Sequence, residues 1–175
     1  GNSMPIRYAN YISADILKNN IQVNANRGTS GIDGTVSTSL GACLVSNKLT
    51  TIIVGDLAFF YDHNALWNNY IPANLRIIVM NNHGGGIFRI LEGSGSLSEL
   101  DKYFETENKL NAENTARDFN LDYIICNNYQ DLDQSLKAFF SHSDKAKILE
   151  IETNSTFNTE VFNNFKLLIS KLEIQ

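Results

Sequence analysis

The chain has 175 residues, 43% hydrophobic and 19% charged, a size and composition that suit one globular domain with one core. Fourteen Lys and Arg against nineteen Asp and Glu give a formal charge of −5 with no basic block, which argues against a nucleic-acid groove. No apolar run approaches the ~20 residues of a membrane helix, and the opening residues lack the basic-then-apolar order of a secretory signal, so a cytoplasmic protein without membrane insertion is expected.

The opening Gly1-Asn2-Ser3-Met4-Pro5 has no polar arm, and the chain reads as starting at a domain boundary within a longer polypeptide. Ser3 ahead of Pro5 predicts a helix N-cap with proline in the first turn. Apolar spacing predicts a helix over 6–17 and a short strand at 21–23. The loop Asn26-Arg27-Gly28-Thr29-Ser30-Gly31-Ile32-Asp33-Gly34 follows, then a small-residue helix to about Val45. Residues 50–54 are a continuous β-branched run ending at Gly55-Asp56, which predicts a strand buried on both faces. After a helix over 58–69 and Pro72, a second such run at 75–80 ends at Asn81-Asn82-His83-Gly84-Gly85-Gly86.

Residues 84–114 are the most loop-like part of the chain. A helix over 115–120, a strand at 123–126, a helix over 132–140, a strand at 148–151 and a terminal helix from about Glu160 complete the pattern. Apolar strands alternating with helices predict an α/β fold, a doubly wound, mostly parallel sheet with helices on both faces. Cys43 and Cys126 lie far apart in apolar stretches and read as buried thiols rather than a disulfide or zinc pair. Asn154-Ser-Thr matches a glycosylation acceptor, but nothing else in the sequence points outside the cell.

In an open parallel sheet the ligand crevice lies beyond the carboxyl ends of the strands. Gly55-Asp56 and Asn81-Asn82 stand at two such ends, with Asp56 and Asn82 26 positions apart, room for one crossover. A carboxylate and an amide oxygen are hard ligands suited to Mg²⁺, and Gly84 to Gly86 allow backbone carbonyls close approach. So few protein ligands imply that phosphate oxygens and water complete the octahedron, which points to a diphosphate. Taken singly, Asp56 reads as a helix cap and Asn82 as a turn residue; their pairing at matching strand ends favours the metal reading. There is no phosphate loop of the G-x-x-x-x-G-K-[ST] type, no complete G-x-G-x-x-G and no G-x-S-x-G elbow.

Gly55-Asp56-Leu57-Ala58 followed by Asn81-Asn82 resembles the magnesium and diphosphate motif of thiamine diphosphate enzymes. Together with the 26–34 loop, the stretch from Gly55 to Leu66, Asn81-Asn82-His83-Gly84-Gly85-Gly86-Ile87-Phe88 and the opening Gly1-Asn2-Ser3 with Arg7, the resemblance is to the 2-succinyl-5-enolpyruvyl-6-hydroxy-3-cyclohexene-1-carboxylate synthase family of menaquinone biosynthesis. It covers residues 1–175 as that family's C-terminal cofactor-binding domain. The resemblance implies thiamine diphosphate and Mg²⁺, with Mn²⁺ able to replace it, and Asp56, Asn82 and the Gly84 carbonyl as metal ligands. It places Ser3, Leu57 and Ala58 near the diphosphate and makes Ile32 the residue that keeps the cofactor bent. Ile87 and Phe88 become apolar wall near thiazolium and substrate. Arg7 and Arg27 become grips for the carboxylates of 2-oxoglutarate and isochorismate, with Arg27 also beside the cofactor.

The implied reaction is decarboxylation of 2-oxoglutarate and 1,4-addition of the resulting carbanion to isochorismate. No catalytic residue is assigned within the chain, because the resemblance implies that the activating glutamate comes from the N-terminal domain of a partner subunit. The whole protein is then at least a homodimer, and the isolated domain is inactive. His83 reads as a loop residue, and Trp67 with Phe59, Phe60 and Tyr61 as core or subunit interface. Two other readings stay open: a cofactor subunit of a split thiamine diphosphate-dependent 2-oxoacid decarboxylase, and a noncatalytic Mg²⁺-diphosphate-binding module.

Overall fold

The computed structural model describes residues 1–12 and 21–172. In chain order these form α1 (Met4–Tyr11), α2 (Thr35–Leu44), β1 (Thr50–Gly55), α3 (Asp56–Asp62), β2 (Leu75–Asn81), α4 (Ile87–Ile90), α5 (Glu113–Asp118), β3 (Asp122–Cys126), α6 (Leu132–Phe140), β4 (Lys147–Glu152) and α7 (Ser155–Leu172). A 3₁₀ turn, His63–Leu66, continues α3, and two further single turns, Ser94–Ser96 and Leu100–Glu105, follow α4. The chain divides into two compact units, Gly1–Asn81 with Asn111–Glu152, and Asn82–Leu110 with the residues from Thr153 onward.

The first unit is built on a four-stranded sheet in the order β1-β2-β4-β3, every pair parallel. This agrees with the α/β class expected from apolar strands alternating with helices. Ile52, Val54, Leu75, Ile77, Val79 and Ile148 cluster with Val36, Leu40, Phe59, Leu66 and Ala116, so one sheet face packs under α2, α3 and α5. Ile78, Leu149 and Cys126 alternate to the opposite face and meet Phe139 of α6. Each fully buried large side chain here contributes about 1.5–3 kcal/mol.

The strand at 50–54 departs from the expectation of burial on both faces. Thr51 and Ile53 are exposed because β1 is an edge strand and α6 packs over β3 and β4 rather than over it. Residues 21–23 form no strand. Ile21 and Val23 are exposed, and a three-residue run without a ladder partner among the described residues buries too little to hold a strand. The helix expected over 6–17 is seen as α1 to Tyr11, and the rest of that expectation, 13–17, lies outside the described residues. Ser3 occupies the N-cap position with φ 67° and makes no side-chain cap. The helix expected over 58–69 starts at Asp56 and tightens into the 3₁₀ turn at His63.

Several helix ends are satisfied by residues distant in sequence, as orphan terminal groups require. The Asp62 carboxylate accepts from Ser37 N (2.8 Å) and Ser37 Oγ (3.0 Å) in the first turn of α2. At the other pole of the sheet, buried Arg76 and Lys147 serve the C-terminus of α6. Arg76 donates to Phe139 O (2.8 Å) and Ser141 O (3.1 Å), and Lys147 Nζ to Ala138 O (2.7 Å). Cations are favoured at that end by the helix dipole.

Within the second unit, the segment expected to be loop-like is organised into short helical turns. Arg89 pairs with Asp101 and with the buried Glu105, while Phe88 and Phe104 pack with ring centroids 5.7 Å apart. The terminal helix starts five residues before the expected Glu160, because the Asn154 side chain accepts from Phe157 N (2.9 Å) and caps it. Among the described residues, no helix is long and apolar enough to cross a membrane.

Candidate functional site

The carboxyl ends of β1 and β2 stand side by side. Gly55 is in register with Met80, so Asp56 and Asn81 each take the next step beyond a matched pair. Gly55 is extended (φ −76°, ψ 159°) and Asp56 opens α3, which leaves the Asp56 carboxylate almost fully buried at 1% exposure. A buried carboxylate at a strand end is costly unless it is hydrogen-bonded, paired or ligates a cation. Leu57 is half-buried and Ala58 buried beneath it. Asn82 follows directly on β2.

The N-terminal segment and the 26–34 loop form a second cluster in the same unit. Asn2 is buried, and its amide donates to Asn26 O and Gly31 O, both at 2.6 Å, which closes the loop on itself. Its Oδ1 accepts from Arg27 Nη1 at 3.3 Å. A Cβ at Gly1 would come within 3.2 Å of Ile53 O, so this segment lies against β1, the strand that ends at Asp56. Arg7 Nη1 turns back to Ser3 O at 2.9 Å. A polar cavity of about 310 Å³ is lined by Asn2, Asn26, Gly28, Thr29, Gly31, Asp33, Gly34 and Thr38. Ile32 and Arg27 are exposed beside it rather than lining it. Arg27 is thus tied to Asn2, a residue that no pattern in the sequence singles out by chemistry, and Arg7 turns back to Ser3 beside it.

In the second unit, the turn from Asn82 to Gly86 demands its glycines. His83 adopts φ 59°. A Cβ at Gly84 would lie 2.7 Å from Glu105 O, and one at Gly85 3.1 Å from Phe104 O. At Gly86 it would overlap the Asn82 amide nitrogen and approach Ser155 Oγ to 3.2 Å. The turn is held by Gly85 N donating to Glu105 O (2.7 Å) and Asn108 N donating to His83 O (2.9 Å). Glu105 is fixed in turn by Arg89 at 2.5 Å and by the Ser155 hydroxyl. Ile87 and Phe88 sit on α4 immediately after, half-buried.

Sequence reasoning missed the most buried charged group of the first unit. Glu150 on β4 has no exposed surface and accepts from Asn81 Nδ2 (2.8 Å), Ala112 N (2.9 Å) and Tyr123 OH (2.6 Å). Burial first, then the hydrogen bond to Glu150, pushes the Tyr123 hydroxyl well above its ordinary value, so it remains a proton donor. The available signal was an acid inside the apolar strand 148–151. The aromatic stretch after Asp56 divides: Phe59 is core, whereas Tyr61 and Trp67 are exposed. His63 Nδ1 pairs with Thr115 Oγ1 at 3.1 Å, a structural contact.

The donor set fits a hard divalent cation. Asp56 in the first unit, and Asn82 with the Gly84 carbonyl in the second, each offer oxygen, the donor type a hard divalent cation takes. The family model described as thiamine pyrophosphate enzyme, C-terminal TPP binding domain, matches residues 7–151. Curated relatives include a protein of Cytophaga hutchinsonii, 54% identical over 97% of this chain and 30% of its own length, and one of Christiangramia forsetii, 50% identical over 92% of this chain and 27% of its own. A protein of Porphyromonas gingivalis is 38% identical over 97% of this chain and 29% of its own length. All three are named 2-succinyl-5-enolpyruvyl-6-hydroxy-3-cyclohexene-1-carboxylate synthase. The chain therefore spans 27–30% of the length of these relatives.

Proposed function

We propose that this chain, which belongs to the thiamine pyrophosphate enzymes as a C-terminal TPP binding domain, is the Mg²⁺- and diphosphate-binding third of a 2-succinyl-5-enolpyruvyl-6-hydroxy-3-cyclohexene-1-carboxylate synthase. The observation that carries the reading is the register of β1 on β2, which sets Asp56 and Asn81 at neighbouring strand ends. The choice of reaction is supported by the relatives named for it.

In this reading Asp56, the Asn82 side chain and the Gly84 carbonyl hold Mg²⁺, with Mn²⁺ as a substitute. Ser3, Leu57 and Ala58 would lie near the diphosphate, and Ile32 would pack against the cofactor. Bound thiamine diphosphate supplies the electron sink for decarboxylation of a 2-oxoacid. Ile87 and Phe88 provide an apolar surface, which favours a step that disperses charge. Arg27, exposed and held by one long hydrogen bond to Asn2, is available to a substrate carboxylate. Arg7 carries a guanidinium of the same use, and a planar fork grips a carboxylate at two points.

The rest of the longer polypeptide, 2-oxoglutarate and isochorismate as substrates, a homodimer with the activating glutamate on the partner, and a cytoplasmic location belong to the same proposal. The charged substrates support that location, since neither crosses a bilayer unaided. The test is isochorismate consumption by the full-length polypeptide with Mg²⁺ and thiamine diphosphate, with and without 2-oxoglutarate. Loss of isochorismate only with 2-oxoglutarate present is the expected result. Persistence of isochorismate while CO₂ leaves another 2-oxoacid overturns the synthase reading in favour of a decarboxylase.

A further inference from the structure

We propose that Glu150 is a positioning residue for the metal turn, its buried carboxylate fastening the first unit at the residues where the chain leaves it for 82–110 and where it comes back. The inference rests on the reading of Asn82 and Gly84 as metal ligands. Glu150 lies on β4 in register with Val79, on the face that carries Ile77, Val79 and Ile148. An apolar side chain would fill that place at less cost, because burying a carboxylate removes its hydration. What an apolar residue lacks is acceptance on two sides at once.

Oε1 takes the Asn81 amide at 2.8 Å, at the last residue of β2. Oε2 takes the backbone N–H of Ala112 at 2.9 Å, just ahead of α5, and the Tyr123 hydroxyl at 2.6 Å. Asn81 is the last residue before the excursion and Asn111 the first after it. One carboxylate thus ties the last residue of β2 and the residue just ahead of α5 to the same point of β4. The turn that begins at Asn82 therefore follows a residue whose side chain is held. Glutamine cannot substitute, since its NH₂ would face a donor on one side or the other.

The experiment uses the full-length polypeptide and compares the parent with Glu150→Gln, Asn81→Ala and the double variant. Mg²⁺-dependent binding of thiamine diphosphate is followed by calorimetry, and amide exchange is followed across 82–112, at a temperature where circular dichroism shows each variant folded. Each single variant is expected to weaken Mg²⁺-dependent binding tenfold or more, with saturating Mg²⁺ recovering it, and to speed exchange at both ends of the excursion. The double variant is expected to be within twofold of the weaker single, because both remove one interaction.

A purely structural role would lower the melting temperature and leave affinity in the folded protein unchanged. Binding within twofold of the parent for folded variants, or fully additive losses, overturns the proposal. If Glu150→Gln does not fold, Asn81→Ala decides alone, since it leaves two of the three hydrogen bonds to Glu150 in place. If the parent itself binds no thiamine diphosphate, the metal reading falls. The exchange data then judge the clasp separately, and unchanged exchange at 82–84 and 108–112 overturns it.

Discussion

Replacing Gly84 by alanine tests the packing of the metal turn by a single methyl group. The added Cβ would stand 2.7 Å from Glu105 O and 2.9 Å from Glu105 Cγ, closer than real Cβ atoms come to any neighbour. Neither atom can swing away cheaply. Glu105 O already accepts from Gly85 N at 2.7 Å, and the Glu105 side chain is held by Arg89 and Ser155. The backbone has to move by several tenths of an ångström, and overpacking of this kind costs about 1–3 kcal/mol. Because turn and neighbour belong to the same compact unit, the cost falls on local opening of residues 82–110. Amide exchange there should accelerate by about 5- to 100-fold, at about 1.4 kcal/mol per factor of ten, with the sheet strands unchanged. Gly41→Ala is the matched control. Nothing lies within 4 Å of a Cβ there, and inside α2 the change should stabilise by about 0.5–1 kcal/mol in urea unfolding. Exchange across 84–105 within twofold of the parent in Gly84→Ala would refute the steric argument.

Asp56→Ala should abolish Mg²⁺-dependent thiamine diphosphate binding by the full-length polypeptide at a temperature where circular dichroism shows it folded, and unchanged affinity would remove Asp56 from the metal site. Arg76→Met should destabilise by roughly 2–4 kcal/mol in denaturant unfolding, since the carbonyls of Phe139 and Ser141 lose their charged donor at about 1–3 kcal/mol each; a loss under 1 kcal/mol would contradict this. Burial pushes the Cys43 thiol up, so the folded state keeps a proton that the unfolded chain releases near pH 8.5. Stability should therefore fall as pH rises above about 8.5, and Cys43→Ala should lack the part of the fall that precedes the tyrosine range near pH 10, where the raised Tyr123 adds its own loss. Cys43 and Cys126, both buried, should resist a thiol reagent at pH 8 until urea unfolds the chain, and rapid labelling of the folded protein would contradict their burial.

The elements most legible in the sequence were those with the least freedom. The runs at 50–54 and 75–80 are too apolar and β-branched to be anything but strands, and α6 falls on 132–140 as its spacing predicts. Short segments misled. The 21–23 run has strand composition but no partner among the described residues, and Asn154, noticed as a glycosylation tripeptide, is the cap of α7. The segment 84–114 looks loop-like because its order comes from Arg89, Glu105 and Ser155, a polar set with no helical period.

The sequence by itself determined the fold class and the identity of the motif residues, because both follow from local information: the period of apolar residues, and residue types at strand ends. It carried Asp56, Asn82 and Gly84 as a pattern along the chain. The tertiary structure alone decided what supports them. That Asn2 closes the 26–34 loop, that Asp62 caps α2 and that Glu150 binds Asn81, Ala112 and Tyr123 are hydrogen bonds spanning 24 to 69 positions. A buried polar side chain takes whichever donor or acceptor the packing brings within about 3 Å. Only the folded chain specifies that neighbour.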